Sequence, residues 1–178
     1  ASANATVEVL KESGALGQGY FFMEGGAMTV GSSSAAGVIG LAKGGSGTNS
    51  LAVFSQSGGI IKAWGGVSIG ASSGTFNSSS LSAFTNSGGF LYIGNVGGIG
   101  ITRFSLAPAT NYFVLSGGTV GALQNWISAM PMTLDTLNGN ITFQCADDAT
   151  TPFNIGLSGA LTGPGGLYKT GGGTLTLS

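Results

Sequence analysis

The sequence predicts an all-β fold in which the chain coils into a parallel β-helix, or β-solenoid, with Gly-rich turns and little or no helix. Three observations support this prediction: 35 of the 178 residues are glycine, only 6% are charged, and one short motif recurs about every 30 residues. A typical globular chain is about 25% charged, so Ser, Thr, Asn and Gly must cover this surface. Hydrophobic residues make up 42% of the chain, which is enough for a sizeable core. We therefore expect one folded domain over residues 1–178.

The recurring motif is Phe-x-x-Ser/Glu-Gly-Gly, and its imperfect copies span about residues 21–122. Its phenylalanines are Phe21, Phe54, Phe84 and Phe113, which are 33, 30 and 29 residues apart. This period, with short strands and Gly-rich turns, is typical of a solenoid, whereas a sandwich would show strands about 8–12 residues apart without the recurrence. Solenoid coils stack about 4.8 Å apart, so a Phe that recurs once per coil stacks on itself. We expect the four rings to form a ladder in the core.

The paired glycines of the motif are expected at corners where the backbone adopts a positive φ or passes close to the next coil. These turn glycines are Gly25, Gly26, Gly58, Gly59, Gly88, Gly89, Gly117 and Gly118. A short apolar run follows each pair, so each unit is interpreted as strand, turn, strand, turn. The best helical candidate is 122–130, which ends at Pro131 and could equally be a loop. From about Met132 polar and apolar residues alternate, so we expect the core to continue to the C-terminus.

The segment 157–178 contains Gly-Pro-Gly-Gly-Leu-Tyr-Lys-Thr-Gly-Gly-Gly-Thr-Leu-Thr-Leu at residues 163–177. This stretch closely resembles the autotransporter-associated β-strand repeat, whose hallmark is a G-x-G-G-L-x-K-x-G-x-G-T-L-x-L core. The resemblance implies a right-handed parallel β-helix in a secreted or cell-surface bacterial protein, normally with many tandem copies. One copy is present, so the chain is expected to be a fragment of a longer protein or a small relative that uses the same coil. The resemblance implies a fold and a location, and no reaction.

Composition excludes several functional classes. The formal net charge is -1 and the five Lys and Arg residues are scattered singly, so the clustered cations that bind nucleic acid are missing. The chain has no His, which excludes Ser-His and Cys-His nucleophiles and His-ligated zinc. The single Cys145 has no nearby activating Cys or His and is expected to be a small buried hydrophobe. No run approaches the roughly 18 apolar residues of a membrane-spanning helix, and we expect no membrane insertion and no cofactor.

Asp147 and Asp148, with Asp135, form the acidic group that deserves a test for polysaccharide cleavage. Parallel β-helices can host such enzymes, and glycoside hydrolysis requires paired carboxyl groups. Adjacent residues on a strand point to opposite faces, however, and the surrounding residues 146–152 are typical of a turn in which Asp bonds its own backbone. The turn interpretation is favoured. A calcium site would need more clustered carboxylates than the sequence offers.

Aromatic residues outside the Phe ladder are interpreted as edge packing, and those that point outward could stack on sugar rings. These residues are Tyr20, Trp64, Tyr92, Tyr112, Trp126 and Tyr168. The Gly-rich segment 94–100 is interpreted as a turn rather than a phosphate-binding loop, because no Gly-Lys-Ser/Thr follows it.

The ends of a solenoid present unpaired backbone groups that invite another strand, and neither end of this chain looks capped. The sequence therefore predicts a non-enzymatic extracellular structural protein that self-associates through its end strands into a homo-oligomer, fibre or surface layer. An adhesin-type passenger segment that binds glycans or host surfaces is the alternative, and a polysaccharide-active enzyme is a weaker third. The residues of the predicted assembly strands are Thr6, Val7, Val9, Leu10, Thr174, Leu175, Thr176 and Leu177.

Overall fold

The computed structural model describes residues 6–10, 17–41, 50–70, 80–95, 98–101 and 110–178. They form a parallel β-solenoid in which the described residues contain no helix. A complete coil has three main strands, one on each of three faces, and not the two that the repeat unit predicted. The third strand is short, such as β8 (Val67–Ile69), which is why the apolar pattern hardly marks it.

The first face is sheet I, a six-stranded sheet in which all neighbours are parallel. Its strands are β2 (Gln18–Met23), β6 (Leu51–Gln56), β9 (Leu81–Asn86), β12 (Thr110–Leu115), β15 (Met132–Leu134) and β18 (Leu161–Thr162). The second face is sheet II, to which the short antiparallel strand β4 is added at one end. Its strands are β3 (Ala27–Ser32), β4 (Ala35–Ala36), β7 (Ile60–Ala63), β10 (Phe90–Ile93), β13 (Thr119–Ala122), β16 (Ile141–Gln144) and β19 (Leu167–Thr170).

The third face consists of two parallel sheets, sheet III and sheet IV, that follow one another along the solenoid. Sheet III contains β1 (Thr6–Val9), β5 (Val38–Leu41), β8 and β11 (Ile99–Ile101), and sheet IV contains β14 (Trp126–Ser128), β17 (Ile155–Leu157) and β20 (Leu175–Leu177). Between β11 and β14 the Ser128 hydroxyl donates a hydrogen bond to the Ile99 carbonyl. A side-chain bond thus joins the two sheets where the backbone ladder is interrupted.

The core contains a continuous stack of phenylalanine rings on the inner side of sheet I. Phe21, Phe54, Phe84 and Phe113 are register partners on successive strands, and their ring centroids are 4.6, 4.7 and 4.8 Å apart. The planes of Phe84 and Phe113 differ by 4°. Because the ring spacing equals the strand spacing of about 4.8 Å, ladder bonds and ring contacts are made together.

A buried polar pair lies beside this stack at the turn from sheet I to sheet II. Gln56 and Asn86 are register partners and are fully buried, and Asn86 Nδ2 donates to Gln56 Oε1 at 2.8 Å. Gln56 Nε2 in turn donates to the Phe90 carbonyl at 3.0 Å. These bonds give partners to both polar atoms of the Gln56 amide and to the Asn86 amide nitrogen, and they tie the turns of neighbouring coils together.

The second glycine of each repeat pair has a left-handed backbone conformation. Its φ is 74° at Gly26, 72° at Gly59, 74° at Gly89 and 73° at Gly118. Side chains with a Cβ rarely adopt this conformation, so each corner depends on glycine. The near-identical angles show that the corner repeats with one geometry in each coil that carries the motif.

Two local segments differ in part from what the sequence predicted. The helical candidate 122–130 is not a helix, because Ala122 ends β13 and residues 126–128 form β14. The segment 94–100 is only partly a turn, since Ile99 and Gly100 belong to β11. In both segments three-residue strands pair with the neighbouring coil, and so short a strand leaves little periodicity in the sequence.

We predict that Phe84→Ala lowers the free energy of unfolding by about 3–5 kcal/mol, because the ring is fully buried between two others. Phe22→Ala is the matched control on the outer side of the same sheet, where the ring is 64% exposed, and its effect should be close to zero. Chemical denaturation measures both. Equal losses in the two variants would contradict the stacked core.

Candidate functional site: the open ends of the solenoid

The two ends of the solenoid expose part of the core. The apolar side chains that pack on the core but are only partly buried lie at these ends, apart from Phe153. At the N-terminal end they are Val7, Leu10, Phe21 and Met28, and at the C-terminal end they are Leu161, Leu167 and Leu175. Among the described residues, no further coil covers these side chains. The ends are therefore the places where apolar surface and unpaired backbone occur together.

At the C-terminal end, β20 pairs with β17 and is the edge strand of sheet IV among the described residues. The Thr174 carbonyl accepts from Ile155, and the Ser178 amide donates to Leu157, both of which lie on β17. Backbone groups alternate in direction along a parallel strand, so the amides of Leu175 and Leu177 point to the open edge. The predicted assembly residues Leu175, Thr176 and Leu177 thus form an edge strand, and Thr174 precedes it.

At the N-terminal end, β1 is the edge strand of sheet III and pairs with β5. Thr6, Val7 and Val9 lie in β1, whereas Leu10 follows it with a φ of 67°, a strained value for a leucine. The expectation that neither end is capped was wrong for one strand. Gly31 and Ser32 of β3 pair with the antiparallel β4, which covers that part of the edge.

The first glycine of each repeat pair distinguishes the N-terminal edge from the interior of the solenoid. A Cβ added at Gly58 would lie 2.2 Å from the Glu24 carbonyl oxygen, and one at Gly88 would lie 2.4 Å from that of Ser57. A Cβ added at Gly117 would lie 2.8 Å from the Ser87 carbonyl oxygen. At Gly25 it meets nothing within 4 Å. Among the described residues, the first coil thus presents an uncovered surface at Gly25, where each later repeat of the motif receives the turn of the preceding coil.

The last coil, residues 158–178, carries a lysine at the position where the preceding coils of sheet II place an inward-pointing apolar side chain. Lys169 is the register partner of Phe143, which is fully buried and points into the core. The Lys169 ammonium group bends away and donates to the Gly171 carbonyl at 2.6 Å. An inward-pointing charge on a terminal strand disfavours indiscriminate strand addition, so a partner at this end must accommodate the ammonium group.

The outer side of sheet I carries exposed aromatic rings. Tyr20 and Phe22 are stacked with centroids 6.3 Å apart and are 51% and 64% exposed, and Tyr112 is 48% exposed. Tyr168 is exposed on sheet II. Trp126 and Tyr92 are buried instead, and Tyr92 lies against Gly121, whose added Cβ would meet its ring at 2.4 Å. Burial, with a smaller contribution from Asp148, raises the pKa of Tyr92.

The three aspartates of the hydrolase hypothesis each have a structural partner. Asp147 Oδ1 accepts from the amides of Ala149 and Thr151 at 2.9 and 2.8 Å, as in the expected turn. Asp135 Oδ1 accepts from the amide of Thr136. Asp148 Oδ2 lies 2.6 Å from Lys62 Nζ, and this hydrogen bond is the main cause that lowers the pKa of Asp148. Their environments favour roles in turns and packing.

Other candidate features have no evident chemistry. Cys145 is buried, and this burial raises the pKa of its thiol, so it is a poor nucleophile. A groove of about 460 Å³ crosses the outer side of sheet IV around Gly156, beside Ile127 and Thr176, and no sequence pattern pointed to it. In the part of the chain that the structure describes, no three metal-ligating side chains cluster, and no helix has the length and apolarity to cross a membrane.

We predict opposite effects for alanine at two equivalent glycines. Gly58→Ala should lower the free energy of unfolding by about 1–3 kcal/mol, because the new Cβ overlaps the Glu24 carbonyl oxygen. Gly25→Ala should leave stability unchanged or raise it by up to about 1 kcal/mol, since it restricts the unfolded chain and meets no neighbour. Thermal denaturation of dilute protein measures both, and a large loss at Gly25 would refute the bare first coil.

We predict that the Lys62–Asp148 pair stabilises the fold by at most about 1 kcal/mol, because both side chains are partly exposed. The pKa of Asp148 is lowered from its ordinary 3.8, so this contribution is present above pH 3.8 and is lost as pH falls through the lower folded-state pKa. The difference in unfolding free energy between the parent chain and Asp148→Asn should therefore vanish in strong acid. A difference independent of pH would contradict the ion pair.

Comparison of the chain with protein-family models, with curated proteins and with solved structures gives no match. The likeness of residues 163–177 to the autotransporter-associated repeat therefore depends on those residues themselves. The fold that the sequence predicted, a β-solenoid with Gly-rich turns, is what the chain shows.

Proposed function

We propose that this chain is a non-enzymatic structural β-solenoid of a secreted or cell-surface bacterial protein, and that copies of it associate through their end strands. The observation that carries the proposal is the coincidence, at both ends, of unpaired strand edges with half-covered core side chains. Such edges template the addition of another strand. A heterologous contact between unlike ends produces a fibre when its rotation does not close into a ring, as expected when solenoids stack end to end along one axis.

Composition and local sequence support the same proposal. Charged residues make up 6% of the chain, so repulsion between copies is weak. The resemblance of residues 163–177 to the autotransporter-associated repeat supports an extracellular location and a setting in which such coils stack in long arrays. The carboxylates named for hydrolysis have structural partners, which weakens the enzyme hypothesis.

An adhesin-type passenger segment is the second candidate, and one observation favours it. Tyr20 and Phe22 form a stacked, exposed pair on sheet I, and Tyr112 is exposed in the same row as Tyr20. Outward rings on a rigid sheet can stack on sugar rings. This candidate uses a lateral face of the solenoid and leaves the ends unused, so it makes a different prediction for end variants.

Negative-stain electron microscopy of the purified chain over a concentration series tests the choice between the two functions. End-to-end association predicts filaments whose length grows with concentration. Discrete monomers at every concentration would contradict the structural proposal, and a glycan array would then test the exposed rings of sheet I.

We predict that Leu177→Pro suppresses filament formation while Leu177→Ala preserves it. Proline removes the amide at position 177, which faces the open edge, and a lost backbone hydrogen bond of about 1–3 kcal/mol lowers the association constant about 5- to 150-fold. The side chain is 55% exposed in a single copy, so alanine removes little packing within that copy and keeps the amide at position 177. Sedimentation velocity measures assembly and circular dichroism checks the fold. Equal assembly of the two variants would contradict pairing through β20.

A further inference from the structure

We infer that β1 is a displaceable plug, and that the β20 strand of a second copy takes its place when copies associate head to tail. The inference rests on the proposed self-association and specifies its partner surface. The partner is the last coil of another copy, and the docking surface is the N-terminal edge formed by β2, β3 and the turn at Gly25.

The bare glycine at position 25 indicates which kind of group docks there. In the repeats at Gly58, Gly88 and Gly117, a backbone carbonyl of the preceding coil occupies the space of the missing Cβ. Gly25 has the same repeat position, and the structure describes nothing in that space. Its φ is not positive, so no turn geometry within the described chain requires a glycine there. The turn of another coil accounts for it.

The last coil of a second copy fits this edge in register. Leu161 follows Met132 and the phenylalanine ladder, so in the continued register it covers Phe21, which is half-buried. Lys169 belongs to the row of Phe143, Val120, Leu91, Ile61 and Met28, and in that register it lies over Met28.

Two further features agree with this docking: the two edges carry charges of opposite sign, and the capped part of the N-terminal edge lies outside the contact. Among the described residues, Lys169 is the charged residue of the last coil, and Glu24 is that of residues 17–41 at the N-terminal edge. The strand β4 pairs with Gly31 and Ser32, beyond the stretch of β3 that β19 covers in this register, so it does not block the contact.

On the third face, this docking requires that one strand replace another. Each coil runs from sheet I through sheet II to the third face, so a docked last coil brings β20 to the position next to β5. That position is occupied by β1, which pairs with β5 over residues 6–9. Both strands cannot pair with β5 on one side, so β1 must leave. Leu10, with its φ of 67°, adjoins β1, and its backbone strain is relieved when β1 detaches.

A reversible disulfide tests the exchange. Thr6 and Val38 are register partners on the outer side of β1 and β5, and neighbouring strands lie about 4.8 Å apart, within the range that a disulfide spans. Thr6→Cys with Val38→Cys should block assembly when oxidised and restore it when reduced. The control pair Val53→Cys with Ala83→Cys joins two interior strands of sheet I and should assemble in both states. The native Cys145 is buried and does not compete.

A second variant keeps the test informative if the double-cysteine variant misfolds, because it is expected to accelerate assembly where the disulfide blocks it. Val9 is the buried residue of β1, and Val9→Thr should loosen the plug and shorten the lag of assembly. A longer lag would indicate that β20 adds onto β1, and it would overturn the exchange. Equal assembly of the Thr6→Cys, Val38→Cys variant in its oxidised and reduced forms would also overturn the exchange, while leaving self-association intact. A parent chain that never assembles would instead remove the proposed function itself.

Discussion

The structure depends on one constraint, the stacking of parallel coils in register at about 4.8 Å. The interior strands of sheets I and II meet this constraint on both edges, and the backbone hydrogen bonds, the phenylalanine stack and the buried Gln56–Asn86 pair all follow from it. The same constraint explains the glycines, because turns that stack this closely leave no room for a Cβ at Gly58 or Gly88.

Apart from the interruption between β11 and β14, the constraint is unmet where the described stack stops, and this gives the two ends their chemical character. Each end combines unpaired backbone groups with half-covered apolar side chains, yet the ends differ. One has the bare turn at Gly25, and the other has an ammonium group at Lys169 on the rim of the core. In the proposed self-association, such unlike ends favour a directional contact over a symmetric one.

The sequence predicted those features that recur once per coil. The ladder of Phe54 and its partners could be predicted, because the ring, the motif and the coil share one period of about 30 residues. Strands of three residues, such as β14, could not be predicted, because three positions are too few to show a polar–apolar alternation. The Lys62–Asp148 pair joins residues 86 positions apart on different coils, and no local pattern marks it. Lys169 could have been found by extending the inward row from Phe143, had the register been known.

The most direct test of the account is hydrogen exchange at the amides of Leu175 and Leu177, measured in dilute protein and in concentrated protein. These amides face the open edge of β20, so they should exchange freely in the monomer and become protected as copies associate. The amide of Ser178, which already bonds to Leu157, should change far less. Exchange at Leu175 and Leu177 that stays fast at all concentrations, in samples that contain assemblies, would show that copies meet elsewhere and would contradict association through the end strands.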